Sequence, residues 1–163
     1  MLTKKDSLLL KIVLFQPEIA QNMGAIVRLC ACFGISLGVI EPCGFPFSSK
    51  ALKRAMMDYG ELNDVEKYIN FQKYFDQKKV QNSESRMILL TTKGEECLWD
   101  FKFSACDHLF FGNEGHGVPN SVAIKSDAKV YIPMQGGGRS LNLSISAGIA
   151  LGEATRQLEK FKS

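Results

Sequence analysis

The sequence predicts an α/β fold in which one mostly parallel sheet is covered by helices on both faces. Its strand-like segments are continuous apolar runs, such as KIVLF at 11–15 and HLFFG at 108–112. Unbroken apolar runs are typical of parallel strands that are buried on both sides. Segments with the helical spacing of apolar residues alternate with these runs. The chain has 163 residues, of which 45% are hydrophobic, and this predicts a single domain over 1–163.

The predicted elements alternate along the whole chain. Strands are predicted over 11–15, 36–42, 86–92, 108–112 and 128–133. Helices are predicted over 22–34, 48–60, 70–79, 118–126 and 143–161. Ser48 or Ser49 is suited to cap the second helix, and Gly34 and Gly60 are natural C-terminal stops.

The composition excludes several classes of protein. The five cysteines form no disulfide-like pattern, which predicts a reducing compartment and a cytoplasmic protein. Cys30 and Cys32 form a C-x-C pair, but two histidines are too few to complete a zinc set, so no metal is expected. No segment reaches the roughly 18 apolar residues of a membrane span, and Lys11 interrupts the N-terminal apolar run. A net charge of +3 permits a nucleic-acid partner without arguing for one.

Unusual residues follow three of the predicted strands, where parallel sheets bind their ligands. The first loop, PEIAQNMGAIVR at 17–28, contains Asn22 and Arg28. Asn22 is either the N-cap of the helix or a site residue. Arg28 is either a surface residue whose stem packs on apolar neighbours or a fork for a phosphate group in the strand-end crevice.

The second loop, FFGNEGHGVP at 110–119, places Gly112, Gly115 and Gly117 between a strand and a helix. Their order is G-x-x-G-x-G, which differs from the dinucleotide fingerprint, and the acidic residue expected after the next strand is missing. A nicotinamide-dependent enzyme is therefore disfavoured. The alternatives are a flexible turn and a loop that contacts a ligand.

The third loop, IPMQGGGRSLN at 132–142, contains Gly136, Gly137 and Gly138. Three glycines remove steric limits, so the backbone is expected to pass close to a ligand or to another segment. Ser140 and Asn142 compete as N-caps of the last helix, whose N-terminus attracts negative charge. Together, the three loops predict one ligand site at the carboxyl edge of the sheet.

The three loops resemble the signature motifs of the SpoU branch of the SPOUT methyltransferases. The resemblance rests on PEIAQNMGAIVRLCACFG, LFFGNEGHGVP and YIPMQGGGRSLNLSISAGIALGEATRQ, and it runs from about Lys11 to Gln157. It is strongest to the short bacterial tRNA wobble-position ribose 2'-O-methyltransferases, which EPCGFPFSSKALKRAMMDYGE and LLTTKG also resemble. The resemblance implies a C-terminal trefoil knot, bound S-adenosylmethionine and a homodimer with no appended RNA-binding domain. It further implies methylation of cytidine or 5-carboxymethylaminomethyluridine at position 34 of leucine tRNAs.

The resemblance also implies roles for particular residues. Matches to catalytic positions are Arg28, Asn22, Ser140 and Asn142. Matches to cofactor-binding positions are Leu90, Gly112, Glu114, Gly117, Ile132, Met134, Ser140 and Leu141. A surface for the tRNA anticodon arm is expected at Arg28, Lys50, Lys53, Arg54 and Arg139. The lysines and Arg54 are equally consistent with an ordinary solvated helix face.

Three residues depart from the family pattern, and two rival functions stay open. Ala20 stands where proline is common, Ala25 where asparagine is common, and Gly152 where the last helix has an aromatic residue, which puts the dimer contact in doubt.

One rival is a ribose 2'-O-methyltransferase acting on another tRNA or rRNA position. The other is a non-catalytic RNA-binding protein of the same fold.

Overall fold

The computed structural model describes residues 9–58, 61, 64–137 and 139–158. The strands β1 to β7 are Lys11–Phe15, Ser36–Ile40, Val65–Tyr68, Met87–Leu90, Glu96–Cys97, His108–Phe111 and Ala128–Tyr131. The helices α1 to α5 are Ala20–Phe33, Lys50–Met56, Phe71–Gln81, Asn120–Ala123 and Leu143–Gln157.

The strands form one sheet in the order β3-β2-β1-β6-β4-β7-β5, and all paired strands run parallel. Strand β6 lies between β1 and β4, and β7 lies on the other side of β4. The carboxyl ends of these four central strands therefore meet at one edge, where Leu90 pairs with both Phe111 and Val130. The trefoil knot stays a prediction.

Helices cover both faces of the sheet, so the predicted fold class is confirmed. Ile12 and Leu14 of β1 belong to a core with α1 and α5 residues, including Met23 and Leu151. Alternate residues of the same strand point to the opposite face. There, Val13 and Phe15 belong to a second core with Tyr74 of α3 and Val122 of α4. This alternation follows from the two-residue repeat of a strand.

Several predicted boundaries differ from the observed ones. Helix α1 begins at Ala20 rather than at Asn22, with Ile19 as an N-cap residue whose side chain makes no capping bond. Helix α2 ends at Met56, and α5 ends at Gln157. The predicted stops near Gly60 and at 161 lie outside the described residues. Ser49 caps α2 through its side chain, and Gly34 ends α1 with a φ of 62°, as predicted.

Strands β3 and β5 were not predicted. Strand β3 has the sequence VEKY, and its two charged residues break the apolar run. Both charges have partners in the fold: Glu66 pairs with Lys11, and the ammonium of Lys67 lies 4.1 Å from the centre of the Phe47 ring. As the edge strand, β3 tolerates charges that a central strand would not.

Helices α1 and α2 touch at Gly24. A Cβ atom built there would lie 2.5 Å from the Cβ of Ala55 and 2.8 Å from the carbonyl oxygen of Leu52. We expect Gly24→Ala to lower the free energy of unfolding by about 1–3 kcal/mol, because the two helix backbones must separate. Urea denaturation measures this change. Gly137→Ala is the matched control, since nothing lies within 4 Å of its built Cβ; an equal loss there would contradict the packing explanation.

A polar cluster is buried on the α3 side of the sheet. The Lys11 ammonium pairs with Glu66 and donates to the Tyr68 hydroxyl at 2.6 Å. The Tyr74 hydroxyl lies 2.9 Å from Nδ1 of His108. Burial, together with the positive charges of Lys11 and Lys78, lowers the pKa of His108 to about 4. The imidazole is therefore neutral in the folded protein at neutral pH.

This cluster predicts a pH dependence of stability. The unfolded chain takes up a proton on His108 near pH 6.5, whereas the folded chain does so only near pH 4. Stability is therefore lost as the pH falls between these values, by up to about 3 kcal/mol, and changes no further below them. Urea unfolding of the wild type and of His108→Gln at pH 7.5 and pH 4.5 measures this contribution. An identical loss in the two proteins would show that another group causes it.

A cavity at the carboxyl edge of the sheet

A cavity of about 640 Å³ lies at the carboxyl edge, between the loops that follow β4, β6 and β7. The N-terminal parts of α1 and α5 complete its wall through Ile19, Asn22 and Asn142. All positions expected to hold the cofactor line it, namely Leu90, Gly112, Glu114, Gly117, Ile132, Met134, Ser140 and Leu141. The three motif loops, distant in sequence, are therefore brought together.

Glu114 fixes the start of α1. Its carboxylate accepts main-chain hydrogen bonds from Glu18 at 2.8 Å and from Ile19 at 3.1 Å. Since the N-cap residue of α1 supplies no side-chain cap, Glu114 satisfies these donors from a different loop. A carboxylate at a helix N-terminus is also favoured by the helix dipole.

Asn22 connects Glu114 to the last helix. Its amide nitrogen lies 3.4 Å from Oε1 of Glu114, and its Oδ1 accepts from Nδ2 of Asn142 at 2.9 Å. A carboxylate only accepts hydrogen bonds, so the amide group of Asn22 must face Glu114, which leaves its oxygen for Asn142. Asn22 is 5% exposed, and it does not cap α1.

Asn142, rather than Ser140, caps α5. Its Oδ1 accepts from the main-chain nitrogens of Ser144 at 2.9 Å and Ile145 at 3.3 Å. The Ser144 hydroxyl donates to the same oxygen at 2.6 Å. Asn142 therefore uses its oxygen for the helix and its amide nitrogen for Asn22. The side chains of Glu114, Asn22 and Asn142 form a continuous chain, here called the Glu114–Asn142 bridge, that joins the N-termini of α1 and α5.

The loop after β6 is held in a closed shape. Asn113 and Gly117 exchange both main-chain hydrogen bonds, at 2.8 and 2.9 Å. The Asn113 side chain accepts from the nitrogen atoms of Gly115 and His116 and donates to the carbonyl of Gln16 at 2.7 Å. A Cβ at Gly112 would lie 2.7 Å from the backbone of Gly117, so this loop requires glycine there. The loop is thus a closed, hydrogen-bonded element that lines the cavity, and its contact with a ligand stays a prediction.

Two of the glycines after β7 have no other protein segment packed against the side where a Cβ would stand. Gly136 has a φ of 85°, which favours glycine, but nothing lies within 4 Å of a Cβ built on Gly136 or Gly137. The expected close approach of another segment is therefore absent at these two glycines, the expected approach to a ligand stays a prediction, and Gly138 lies outside the described residues. Close approach occurs instead at Gly94, whose built Cβ would lie 2.5 Å from the main-chain nitrogen of Tyr131.

The basic residues expected to act on RNA do not line the cavity of the described chain. Arg28 lies exposed on α1, with Nη1 at 3.1 Å from the sulfur of Met57. The remaining members of this set, all exposed, are Lys50, Lys53, Arg54 and Arg139. Asn22, Ser140 and Asn142 share the cavity, and Arg28 does not.

The cavity also has residues that the sequence did not single out. Lys93 and Lys129 contribute positive charges, and Lys129 pairs with Glu95 at 3.6 Å. His116 and Asn120 add polar groups. In strand β7, the residues on either side of Lys129 face the core formed with α1 and α5, so Lys129 points to the other face of the sheet. This alternation along the strand is the sequence feature that could have singled out Lys129.

The cavity fits S-adenosylmethionine in size and chemistry. Its volume lies within the roughly 300–1,000 Å³ of small-molecule sites. Leu90, Ile132 and Leu141 offer apolar surface for an adenine ring, and the three loops offer main-chain polar groups. Lys93 and Lys129 match the charge of the cofactor's carboxylate.

Within the described ranges, no group of three or more His, Cys, Asp and Glu side chains is arranged to hold a metal ion. Across the same residues, no helix is long and apolar enough to span a membrane.

Comparisons with known proteins identify the family. The sequence model of the SpoU rRNA Methylase family matches residues 9–152. A tRNA (cytidine(34)-2'-O)-methyltransferase of Beijerinckia indica is 40% identical over 147 residues, which cover 90% of this chain and 91% of that protein. A solved structure concerned with the 2-OH methylation of C/U34 on tRNA superposes with a TM-score of 0.85 and 38% identity, covering 92% of this chain and 96% of that one.

A more distant structure carries the cofactor. An AdoMet-bound rRNA methyltransferase from Sinorhizobium meliloti has a TM-score of 0.80 and 25% identity, covering 91% of this chain and 56% of that one. The family model spans most of this sequence, and both solved structures share the fold of this chain. The chain therefore belongs to the SpoU rRNA Methylase family.

Proposed function

We propose that the chain is an S-adenosylmethionine-dependent tRNA 2'-O-methyltransferase that methylates the ribose of the wobble nucleotide at position 34. The observation that carries this proposal is the meeting of all three motif loops in one cavity. The relatives that support it are enzymes named for cytidine 34, and similarity to them extends over nearly the full length of both chains. The accepted nucleotides would be cytidine and 5-carboxymethylaminomethyluridine in leucine tRNAs.

The loops would hold the cofactor largely through main-chain atoms. S-adenosylmethionine supplies a sulfonium methyl group to an oxygen nucleophile. Gly112 and Gly117 set the shape of one wall, and Leu90, Ile132 and Leu141 supply its apolar surface. The protein's task is to place the ribose hydroxyl about 3–3.5 Å from that methyl carbon.

The Glu114–Asn142 bridge would position the substrate. It fixes the relative placement of α1 and α5, whose N-terminal residues form the substrate side of the cavity. Ser140, exposed beside Asn142, would offer its hydroxyl group to the ribose. An Arg side chain is a poor proton acceptor because its guanidinium group stays protonated in proteins. We infer that Arg28 binds a tRNA phosphate and orients the ribose, and that the phosphate or a water takes the hydroxyl proton.

We further propose that the enzyme is a homodimer whose site is completed near the subunit boundary. Arg28 lies outside the cavity of its own chain, and the exposed Ile145 of α5 lies beside that cavity's wall. A Cβ on Gly148 or Gly152 would meet nothing within 4 Å, so this part of α5 has room for a partner. The anticodon arm would then contact both subunits, with Lys50, Lys53, Arg54 and Arg139 as candidate phosphate contacts.

A mixing experiment tests the role of Arg28 across the dimer. Arg28→Ala and Asn142→Ala should each keep at most about a hundredth of wild-type activity when pure. If Arg28 acts in the partner's cavity, mixed dimers contain one intact site, and remixing should restore about a quarter of wild-type activity. An inactive mixture, with exchange verified by native mass spectrometry, would place Arg28 in its own subunit's reaction.

A comparison of methyl transfer to two tRNAs that differ by one ribose hydroxyl group tests the function. The purified chain is incubated with tritiated S-adenosylmethionine and a leucine tRNA transcript, or with the same tRNA carrying a 2'-deoxynucleotide at position 34. We expect label in the first RNA alone. Equal labelling of both RNAs would move the target to another nucleotide, and cofactor binding without labelling of any tRNA or rRNA would favour a non-catalytic RNA-binding protein.

A further inference from the structure

Two exposed lysines converge on one aromatic ring on the sheet face opposite α1 and α5. The ammonium of Lys79, on α3, lies 4.5 Å from the centre of the Phe75 ring. The ammonium of Lys125, just after α4, lies 4.8 Å from the same centre. Both lysines are exposed, and the ring is half-buried. These three residues are called the Phe75 patch.

The charges of the Phe75 patch lack counter-ions in the described part of the chain. Neither ammonium has a carboxylate within 4 Å among those residues, as the ion pairs found there involve other cations. The ammonium of the buried Lys78 also lies 5.8 Å from the centre of this ring, but it donates to the Ser85 carbonyl at 2.6 Å and lies 3.9 Å from Asp127. A cation over an exposed ring gains only about 0.5–1 kcal/mol. Two ammonium groups gathered over one ring therefore form a surface that favours an anion.

The patch borders the cavity through α4. Asn120 and Ala123 of this helix line the cavity, and Lys125 follows two residues later. Lys129 of β7 also lines the cavity. It is paired in register with Leu89, which belongs to the core beneath α3 and α4, so Lys129 lies on the same face of the sheet as the patch. Positive charge is thus present both in the cavity and on the adjoining surface.

We propose that the Phe75 patch binds the phosphate backbone of the tRNA whose wobble nucleotide occupies the cavity. The proposal rests on the proposed function and adds a contact surface distinct from α2 and its Lys50, Lys53 and Arg54. A polyanion carries phosphates at regular short intervals, so two neighbouring ammonium groups can each neutralise one. The exposed side chains of Val80 and Ile124 flank the patch and add apolar surface beside it.

The test is the salt dependence of tRNA binding by the full chain. Fluorescence anisotropy measures the affinity of a labelled leucine tRNA transcript, with the protein saturated by S-adenosylhomocysteine, from 50 to 300 mM KCl. The test variant is Lys79→Gln with Lys125→Gln. The control is Lys67→Gln with Lys102→Gln, which removes the same charge and includes a lysine that also lies over a ring, Phe47.

We expect the test variant to bind tRNA about tenfold more weakly at 100 mM KCl, while the control changes less than about twofold. The slope of log K against log salt should become shallower by about 0.7–0.9 for each lost phosphate contact. The affinity for S-adenosylhomocysteine should be unchanged. Equal losses in test and control variants would overturn the proposal, as would an unchanged tRNA affinity, which would instead favour a protein partner for this surface.

The binding assay requires no turnover, so the two proposals can fail separately. A wild-type chain that binds tRNA through the patch but transfers no methyl group would contradict the proposed function alone. Thermal unfolding of both double variants checks their folding, and since all four substituted lysines lie at exposed positions, their midpoints should match the wild type.

Discussion

Replacing Glu114 by glutamine should lower kcat/KM about a hundredfold or more while leaving a folded protein. The carboxylate accepts two main-chain hydrogen bonds from the start of α1 and faces the amide of Asn22. A glutamine amide presents one oxygen and one NH₂ group, so one of these donors loses its acceptor. The start of α1 and the Asn22 side chain then shift, and small displacements of positioning groups have large kinetic costs.

The expected stability cost is modest by comparison. Loss of a cap at an exposed helix terminus lowers the free energy of unfolding by about 1 kcal/mol. Glu18→Gln is the matched control, because it removes a carboxylate at the same helix terminus while its main-chain donor to Glu114 remains. Steady-state methylation and urea denaturation measure both effects. Wild-type kinetics in Glu114→Gln would show that the bridge does not position the substrate.

Two substitutions at Asn142 should separate its structural role from its positioning role. Asn142→Asp keeps the oxygen that caps α5, and aspartate is as good a cap as asparagine. It replaces the amide donor to Asn22 by an acceptor, so the Asn22 oxygen loses its partner. We expect the cap to be kept, the buried Asn22 oxygen without a donor to cost about 1–3 kcal/mol of stability, and a loss of about a hundredfold in kcat/KM.

Asn142→Ala removes both interactions and should lose the same activity together with about 1 kcal/mol more stability than Asn142→Asp, because the cap is lost as well. The comparison is made by urea denaturation and by methylation kinetics at saturating S-adenosylmethionine. S-adenosylhomocysteine affinity, measured by calorimetry, should change little in Asn142→Asp. If Asn142→Asp kept wild-type activity, the amide donor would have no part in catalysis.

The architecture followed from local patterns in the sequence. Continuous apolar strands such as 87–90 and 108–111 could be recognised because central parallel strands are buried on both faces. Strand β3 was missed because Glu66 and Lys67 interrupt its pattern, and their partners are Lys11 and the Phe47 ring. Such charges have an explanation only once the fold places β3 at the sheet edge.

The site was predictable in part. Ligands bind beyond the carboxyl ends of parallel strands, so the sequence predicted that the three loops form one site. The resemblance to a family supplied the particular cofactor positions. The bridge could not be predicted from local sequence, because Glu114 caps a helix that begins more than ninety residues earlier. Local sequence alone made Asn22 a candidate N-cap of α1. The helix begins two residues before it, because the distant Glu114 supplies the cap. The roles of the cavity residues stay predictions.

Nucleoside mass spectrometry of the wobble position tests the central claim most directly. A leucine tRNA without modifications is incubated with the chain and S-adenosylmethionine, and the anticodon fragment is then isolated and digested. We predict a 2'-O-methylated nucleoside at position 34 with the wild type and with Glu18→Gln, and almost none with Glu114→Gln. A 2'-O-methyl group at another position, or equal methylation at position 34 by Glu114→Gln, would contradict this account.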